Sequence, residues 1–123
     1  MTPDFEKNEL IPAVVQDART GQVRMLGYMN REAFERTAST GELHLFSRSR
    51  GRLWRKGERS GQTQRLVELR VDCDGDALLL RVDQHGVACH TGRRSCFYRA
   101  AGEVGLIETM APAVDQKTLY GEG

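Results

Sequence analysis

Apolar and polar residues alternate in short stretches along most of this chain, with a period of two. Ile11 to Gln16 reads as a strand, with a turn at Asp17-Ala18-Arg19-Thr20-Gly21 and Val23 to Tyr28 as its hairpin partner. Asn30 suits a helix N-cap, because its side-chain oxygen can accept from the unpaired N–H groups of a first turn. Arg31 to Thr40 then reads as a short helix ended by Gly41. Leu43 to Phe46 is a third strand, with Leu43 and Leu45 on one face and His44 and Phe46 on the other. Ser47 to Gln62 breaks the alternation, apart from a short strand around Leu53 to Arg55. Gln64 to Asp72 restores it, with Leu66, Glu68 and Arg70 facing one way and Val67, Leu69 and Val71 the other. Asp72 to Asp76 forms an acidic turn, and Leu78 to Val82 returns as the hairpin partner. The polar stretch from Met110 to Gly123 is expected at the surface or loosely ordered. The pattern predicts an α+β fold: a mostly antiparallel sheet with one clear helix.

Composition narrows this only slightly. A chain of 123 residues suits a single domain, 1–123, around one core. A net charge of +1 gives no bulk pull toward nucleic acid or a membrane surface. Met1 to Leu10 has no apolar leader, and runs such as Ala77 to Leu80 are too short to span a bilayer, so a cytoplasmic location is expected. Three cysteines without a leader argue against a disulfide framework. Burial, reactive thiols and metal ligation remain.

Three segments carry candidate chemistry. In Val71-Asp72-Cys73-Asp74-Gly75-Asp76, an extended backbone would put Asp72, Asp74 and Asp76 on one face and Cys73 on the other. Carboxylates that close need a cation, and hard oxygen donors suit Mg²⁺; a solvated Asp-Gly turn is the plainer alternative. In Cys89-His90-Thr91-Gly92-Arg93-Arg94-Ser95-Cys96, two cysteines flank a polar turn. With Cys73 they could offer Zn²⁺ three thiolates and leave one position open, as catalytic sites do. His90 beside them is a candidate general base; His44 and His85 have weaker claims. Between Arg48 and Arg59 lie six basic residues and one acid. Arg forks, Ser hydroxyls and Gly-exposed backbone make a phosphate-binding mixture, with Ser47, Arg48, Arg50 and Lys56 as candidate grips. Trp54 could stack on a base. A nucleic-acid patch or a solvated loop would use the same residues.

These segments together resemble the phosphoribosyl-AMP cyclohydrolase family. The likeness runs from Leu26-Gly27-Tyr28-Met29-Asn30 through Phe46-Ser47-Arg48-Ser49-Arg50 and Leu53-Trp54-Arg55-Lys56-Gly57-Glu58. It continues through the aspartate segment and Gln84-His85-Gly86-Val87-Ala88-Cys89-His90-Thr91-Gly92 to Arg94-Ser95-Cys96-Phe97. The resemblance implies hydrolysis of the N1–C6 bond of the adenine ring in N1-(5′-phosphoribosyl)-AMP, a step of histidine biosynthesis. It implies a homodimer with sites at the subunit interface. There Cys73 reaches a zinc bound by the other copy's Cys89 and Cys96, while Asp72, Asp74 and Asp76 bind Mg²⁺, one ion of each kind per subunit. Some relatives carry a second, pyrophosphohydrolase domain, which is expected to be absent here. On that implied reaction, zinc-generated hydroxide adds to C6 with His90 as base, and the ring opens to a carboxamide. The partners expected are a phosphorylated nucleotide and a second copy, with neither nucleic acid nor membrane. Two rivals stand beside this. A zinc deaminase would show His-x-Glu and Pro-Cys-x-x-Cys, and neither is present. A zinc-containing RNA-binding module would use the Arg-rich stretch but leaves the aspartates unexplained.

Overall fold

The computed structural model describes residues 3–58, 60–84, 86–115 and 117. Strands β1 (Ile11–Asp17) and β2 (Val23–Met29) form the expected hairpin, followed by helix α1 (Arg31–Thr40). The Asn30 side chain accepts from the Ala33 N–H at 2.9 Å, and Gly41, at φ 76°, closes the helix with its N–H on Thr37 O. The helix is docked by a reciprocal exchange: the Thr37 hydroxyl accepts from His44 N–H at 2.9 Å and donates to His44 O at 3.2 Å. His44 is buried, and its Nδ1 lies 2.9 Å from Glu42 O, so this histidine has a structural role.

Strands β3 (His44–Ser47) and β4 (Arg52–Arg55) form a separate hairpin. Strands β5 (Gln64–Val71) and β6 (Leu78–Gln84) complete the main sheet, whose order is β2-β1-β6-β5. All its pairings are antiparallel except β1 with β6, which run parallel from Ala13–Leu78 to Asp17–Val82. Ile11, Ala13 and Val15 of β1 and Leu80 and Val82 of β6 are fully buried, and Leu43, Leu45 and Met29 close over them. Burying these aliphatic side chains stabilises the fold by roughly 1.5–3 kcal/mol each before ordering costs.

The expected alternation of β5 holds only in part. A β-bulge between Leu66 and Glu68 inserts Val67, so Leu66 faces the core before the bulge and Leu69 and Val71 face it afterwards. Val67 is 59% exposed. One extra residue reverses the facing of all that follow.

Beyond β6 the chain forms a small hairpin that the alternation did not reveal, β7 (Arg99–Ala101) with β8 (Leu106–Glu108). The segment after it is not loose at its start: Ala113 and Val114 both donate to Gly92 O, at 2.8 and 3.1 Å. Residues 109–115 hold no strand or helix, and 118–123 fall outside the described residues.

Candidate metal centre and cavity

The Cys89–Cys96 loop is built against β2. Cys96 N–H donates to Arg24 O at 2.7 Å, and the buried Ser95 hydroxyl donates to Val23 O at 2.7 Å while accepting from Phe97 N–H. Within the loop, Cys89 N–H donates to Arg93 O and Gly92 N–H to Cys89 O. Arg93 ties this loop to the C-terminal segment. Its Nε donates to Met110 O at 2.8 Å, its Nη2 to Glu108, and its guanidinium lies 4.0 Å from the Tyr98 ring centroid.

This scaffold brings Cys89 and Cys96 close enough for their side chains to act on one another. Cys96 is exposed as a residue, but desolvation around its sulfur pushes the thiol up to about 12, the neighbouring Cys89 adds to that, and Lys56 opposes it. The Thr91 hydroxyl reaches Cys89 Sγ at 3.0 Å. Two adjacent sulfur donors with an ordered hydroxyl beside one of them fit a soft or borderline cation such as Zn²⁺.

Cys73 does not join them. It sits, exposed, on the β5–β6 turn, with Sγ 3.5 Å from Asp74 Oδ1. Asp72 to Ala77 is the acidic turn that the pattern predicts, a compact loop rather than the extended strip that would share the aspartates on one face. Asp72 Oδ1 accepts from Asp76 and Ala77 N–H at 2.9 and 3.2 Å, and Gly75 takes φ 76°. An Asx-type turn curls the backbone because side-chain acceptors replace ladder bonds. The carboxylates still converge. Asp72, Asp74 and Asp76 each offer an oxygen within 4.8 Å of the others, the only such group of three donors among the described residues. Desolvation acts to raise the Asp72 carboxyl, but hydrogen bonds from Asp76 and Ala77 outweigh it and leave it below its ordinary range. Asp76 is raised, by its side-chain hydrogen bond to Asp72 and by that residue's charge. Such a set of hard oxygens suits Mg²⁺.

Between the Arg-rich segment and the cysteine loop lies a cavity of about 310 Å³. Ser47, Arg50, Trp54, Lys56, His90 and Cys96 all contribute to its wall. His90 is exposed there, next in sequence to the buried Cys89. Arg48 is not part of the wall; its guanidinium stacks 4.0 Å from the Tyr28 ring centroid. Arg52 and Glu58 are lining residues that the sequence reading had not singled out, and they pair at 2.9 Å. The signal for Arg52 was available: two residues from Trp54 on β4, it shares that strand face. Lys56 is buried, with Nζ donating to Ala88 O at 2.6 Å. Burial lowers its ammonium, while Cys96 and Cys89 act to raise it. Arg59 and His85 fall outside the described residues.

Below the loop, Arg24 and Asp17 form a buried ion pair with side chains 6% and 7% exposed. Burial works to raise the Asp17 carboxyl, but the Arg24 hydrogen bond and the Arg19 and Thr20 N–H groups more than offset it, leaving it below 3.8. A depressed carboxyl contributes stability that is complete above its unfolded value and is lost as pH falls through the folded one. Asp17→Ala is expected to cost about 3 kcal/mol or more at neutral pH, because Arg24 is left buried and unpaired. In urea melts, the gap between wild type and variant should narrow as pH is lowered below 3.8. A gap that stayed constant there would mean that the pair's charge contributes nothing.

Residues 25–98 match the family model for phosphoribosyl-AMP cyclohydrolase. The chain is 62% identical over 118 residues to a phosphoribosyl-AMP cyclohydrolase of Granulibacter bethesdensis, covering 95% of this chain and 92% of that protein. It is 61% identical over 111 residues to one of Alkalilimnicola ehrlichii, covering 90% and 78%. With one of Halorhodospira halophila the identity is 56% over 120 residues, covering 98% and 84%.

Proposed function

The chain belongs to the phosphoribosyl-AMP cyclohydrolase family, and on that premise we propose that it hydrolyses the N1–C6 bond of the adenine ring of N1-(5′-phosphoribosyl)-AMP, in histidine biosynthesis. The observation that carries this reading is the shared cavity wall. Arg50, Ser47 and Trp54 line it together with His90 and Cys96. Candidate phosphate grips and a base-stacking ring thus share one cavity with a candidate proton acceptor and a candidate metal-ligating thiol.

Cys89 and Cys96 would hold zinc together with Cys73 of a second copy, and Asp72, Asp74 and Asp76 would hold Mg²⁺. When bound, zinc supplies the Lewis acidity that makes water a competent nucleophile near neutral pH. The chain's own groups do the rest. Ring substitution at N1 leaves C6 electron-poor. Trp54 stacks on the base and aligns C6, while Arg50, Arg52 and Ser47 bind the phosphates. His90 accepts the proton of the attacking water and returns it to N1 as the C6–N1 bond breaks.

The second copy is supported by Cys73, which lies apart from its own chain's cysteine pair. It is also supported by Phe97, Leu106 and Ile107, which are 58%, 70% and 58% exposed just beyond Cys96. Large apolar side chains held this far exposed beside the cysteine loop are the kind of surface that a partner covers. No described helix is long and apolar enough to cross a membrane.

Turnover of phosphoribosyl-AMP, followed by ultraviolet absorbance, is the test. Activity should vanish with a zinc chelator and return with added zinc. A folded, zinc- and Mg²⁺-supplied sample without turnover would remove the proposed reaction. Binding to RNA with a steep salt dependence would then favour the RNA-binding alternative.

A further inference from the structure

Lys56 presents a separate problem. It is 9% exposed, yet forms no ion pair with a carboxylate among the described residues. Its one hydrogen bond there is from Nζ to Ala88 O, at 2.6 Å. A buried ammonium without an anion is costly, so an anion belongs nearby. Ala88 adjoins Cys89 in the chain, and Lys56, Ala88 and Cys96 line the same cavity, so the cysteine pair is where that anion would form. Its backbone is pinned as well. Lys56 N–H donates to Leu43 O at 2.9 Å, and Gly57, at φ 88°, lies so close to Gln62 and Thr63 that an added Cβ would sit 2.8 Å from their backbone.

We propose that Lys56 is a positioning residue for the metal centre: a fixed cation that holds the Ala88–Cys89 segment through the Ala88 carbonyl and offsets the charge of the metal-bound thiolates. This rests on the reading that Cys89 and Cys96 are zinc ligands. Three thiolates around a divalent ion carry a net charge of −1. A fixed cation beside them stabilises the loaded site and restrains the electron donation of the sulfurs, so that more of the ion's Lewis acidity remains for water. Lys56 thus does more than grip a phosphate, the role its place in the basic segment suggested. The binding that orients the cysteine loop and the charge that tunes it come from one side chain.

The test titrates Co²⁺ into the metal-free full chain of wild type, Lys56→Gln, Lys56→Met and Lys56→Arg, reading the thiolate-to-cobalt absorption. Zinc affinity is then measured by chelator competition, and folding is checked by circular dichroism. The Gln and Met variants should bind roughly tenfold to a hundredfold more weakly, with the band moved to longer wavelength. Lys56→Arg should recover most of the affinity and the wild-type band. Lys56→Gln retains a donor for Ala88 O but no charge, so it separates the two roles if the Met variant does not fold. Wild-type affinity and an unmoved band in folded Lys56→Gln would overturn the proposal, as would an equal loss in folded Lys56→Arg. Absence of any thiolate band in wild type would overturn the zinc centre itself, and this inference with it.

Discussion

Cys96→Ser should lose essentially all turnover, at least about a thousandfold in kcat/KM, together with tight zinc binding. A serine hydroxyl is nearly isosteric with the thiol, but it does not ionise near neutral pH and is a poor ligand for a borderline-soft ion. The backbone should be little disturbed. Cys96 N–H remains available for Arg24 O, and Ser95, which anchors the strand end of the loop, is untouched. Loss of metal without loss of fold is therefore the expected signature, read by chelator competition beside a thermal melt. Full zinc and full activity in this variant would remove the thiolate site. The same chemistry makes the shared site testable. In a mixture of Cys73→Ser and Cys89→Ser chains, one of the two sites in each heterodimer would contain all three cysteines, so partial activity should return. Heterodimers without recovery would show that the ligands do not come from two chains.

Gly92→Ala should damage the same site through the backbone. Gly92 has φ 86°, and a Cβ built there would lie 1.8 Å from Val114 O. The left-handed conformation alone costs an alanine about 1–2 kcal/mol. The collision is with main chain that cannot rotate away, in a segment held by the Ala113 and Val114 hydrogen bonds to Gly92 O. Forcing that segment out adds about 1–3 kcal/mol more. A total near 3 kcal/mol corresponds to a fall in Tm on the order of 10 °C. Because Gly92 sits between the two cysteines, zinc affinity should fall as well. Gly51→Ala is the matched control: φ is 62°, but nothing lies within 4 Å of the new Cβ, so only the conformational cost of about 1–2 kcal/mol remains. Equal melting temperatures for the two variants would show that the strap against Gly92 carries no stability.

Much of the site was legible because its signals are local. Asn30 and Gly41 mark the helix ends by hydrogen bonds within a few residues, and α1 runs between them. The aspartates of one turn and the cysteines flanking Gly92 are near in sequence, and they converge in space. The arginine-rich stretch likewise folds into one cavity wall, although Arg48 turns aside to Tyr28. What local pattern misled was facing. The alternation of β5 assumed an unbroken pleat, and whether a strand carries an extra residue depends on the partner it pairs with, here β6.

Taken alone, then, the sequence determined the elements of the main sheet, helix α1 and the family, because each depends on residues close together in the chain. The tertiary structure alone decided which of these meet. It set β1 parallel to β6, laid the 109–114 segment over Gly92, and put the Lys56 ammonium on the carbonyl beside Cys89. It also kept Cys73 away from the two cysteines of its own chain. These are contacts between residues far apart in sequence, and their geometry follows from how the whole core packs, which no short window of residues contains.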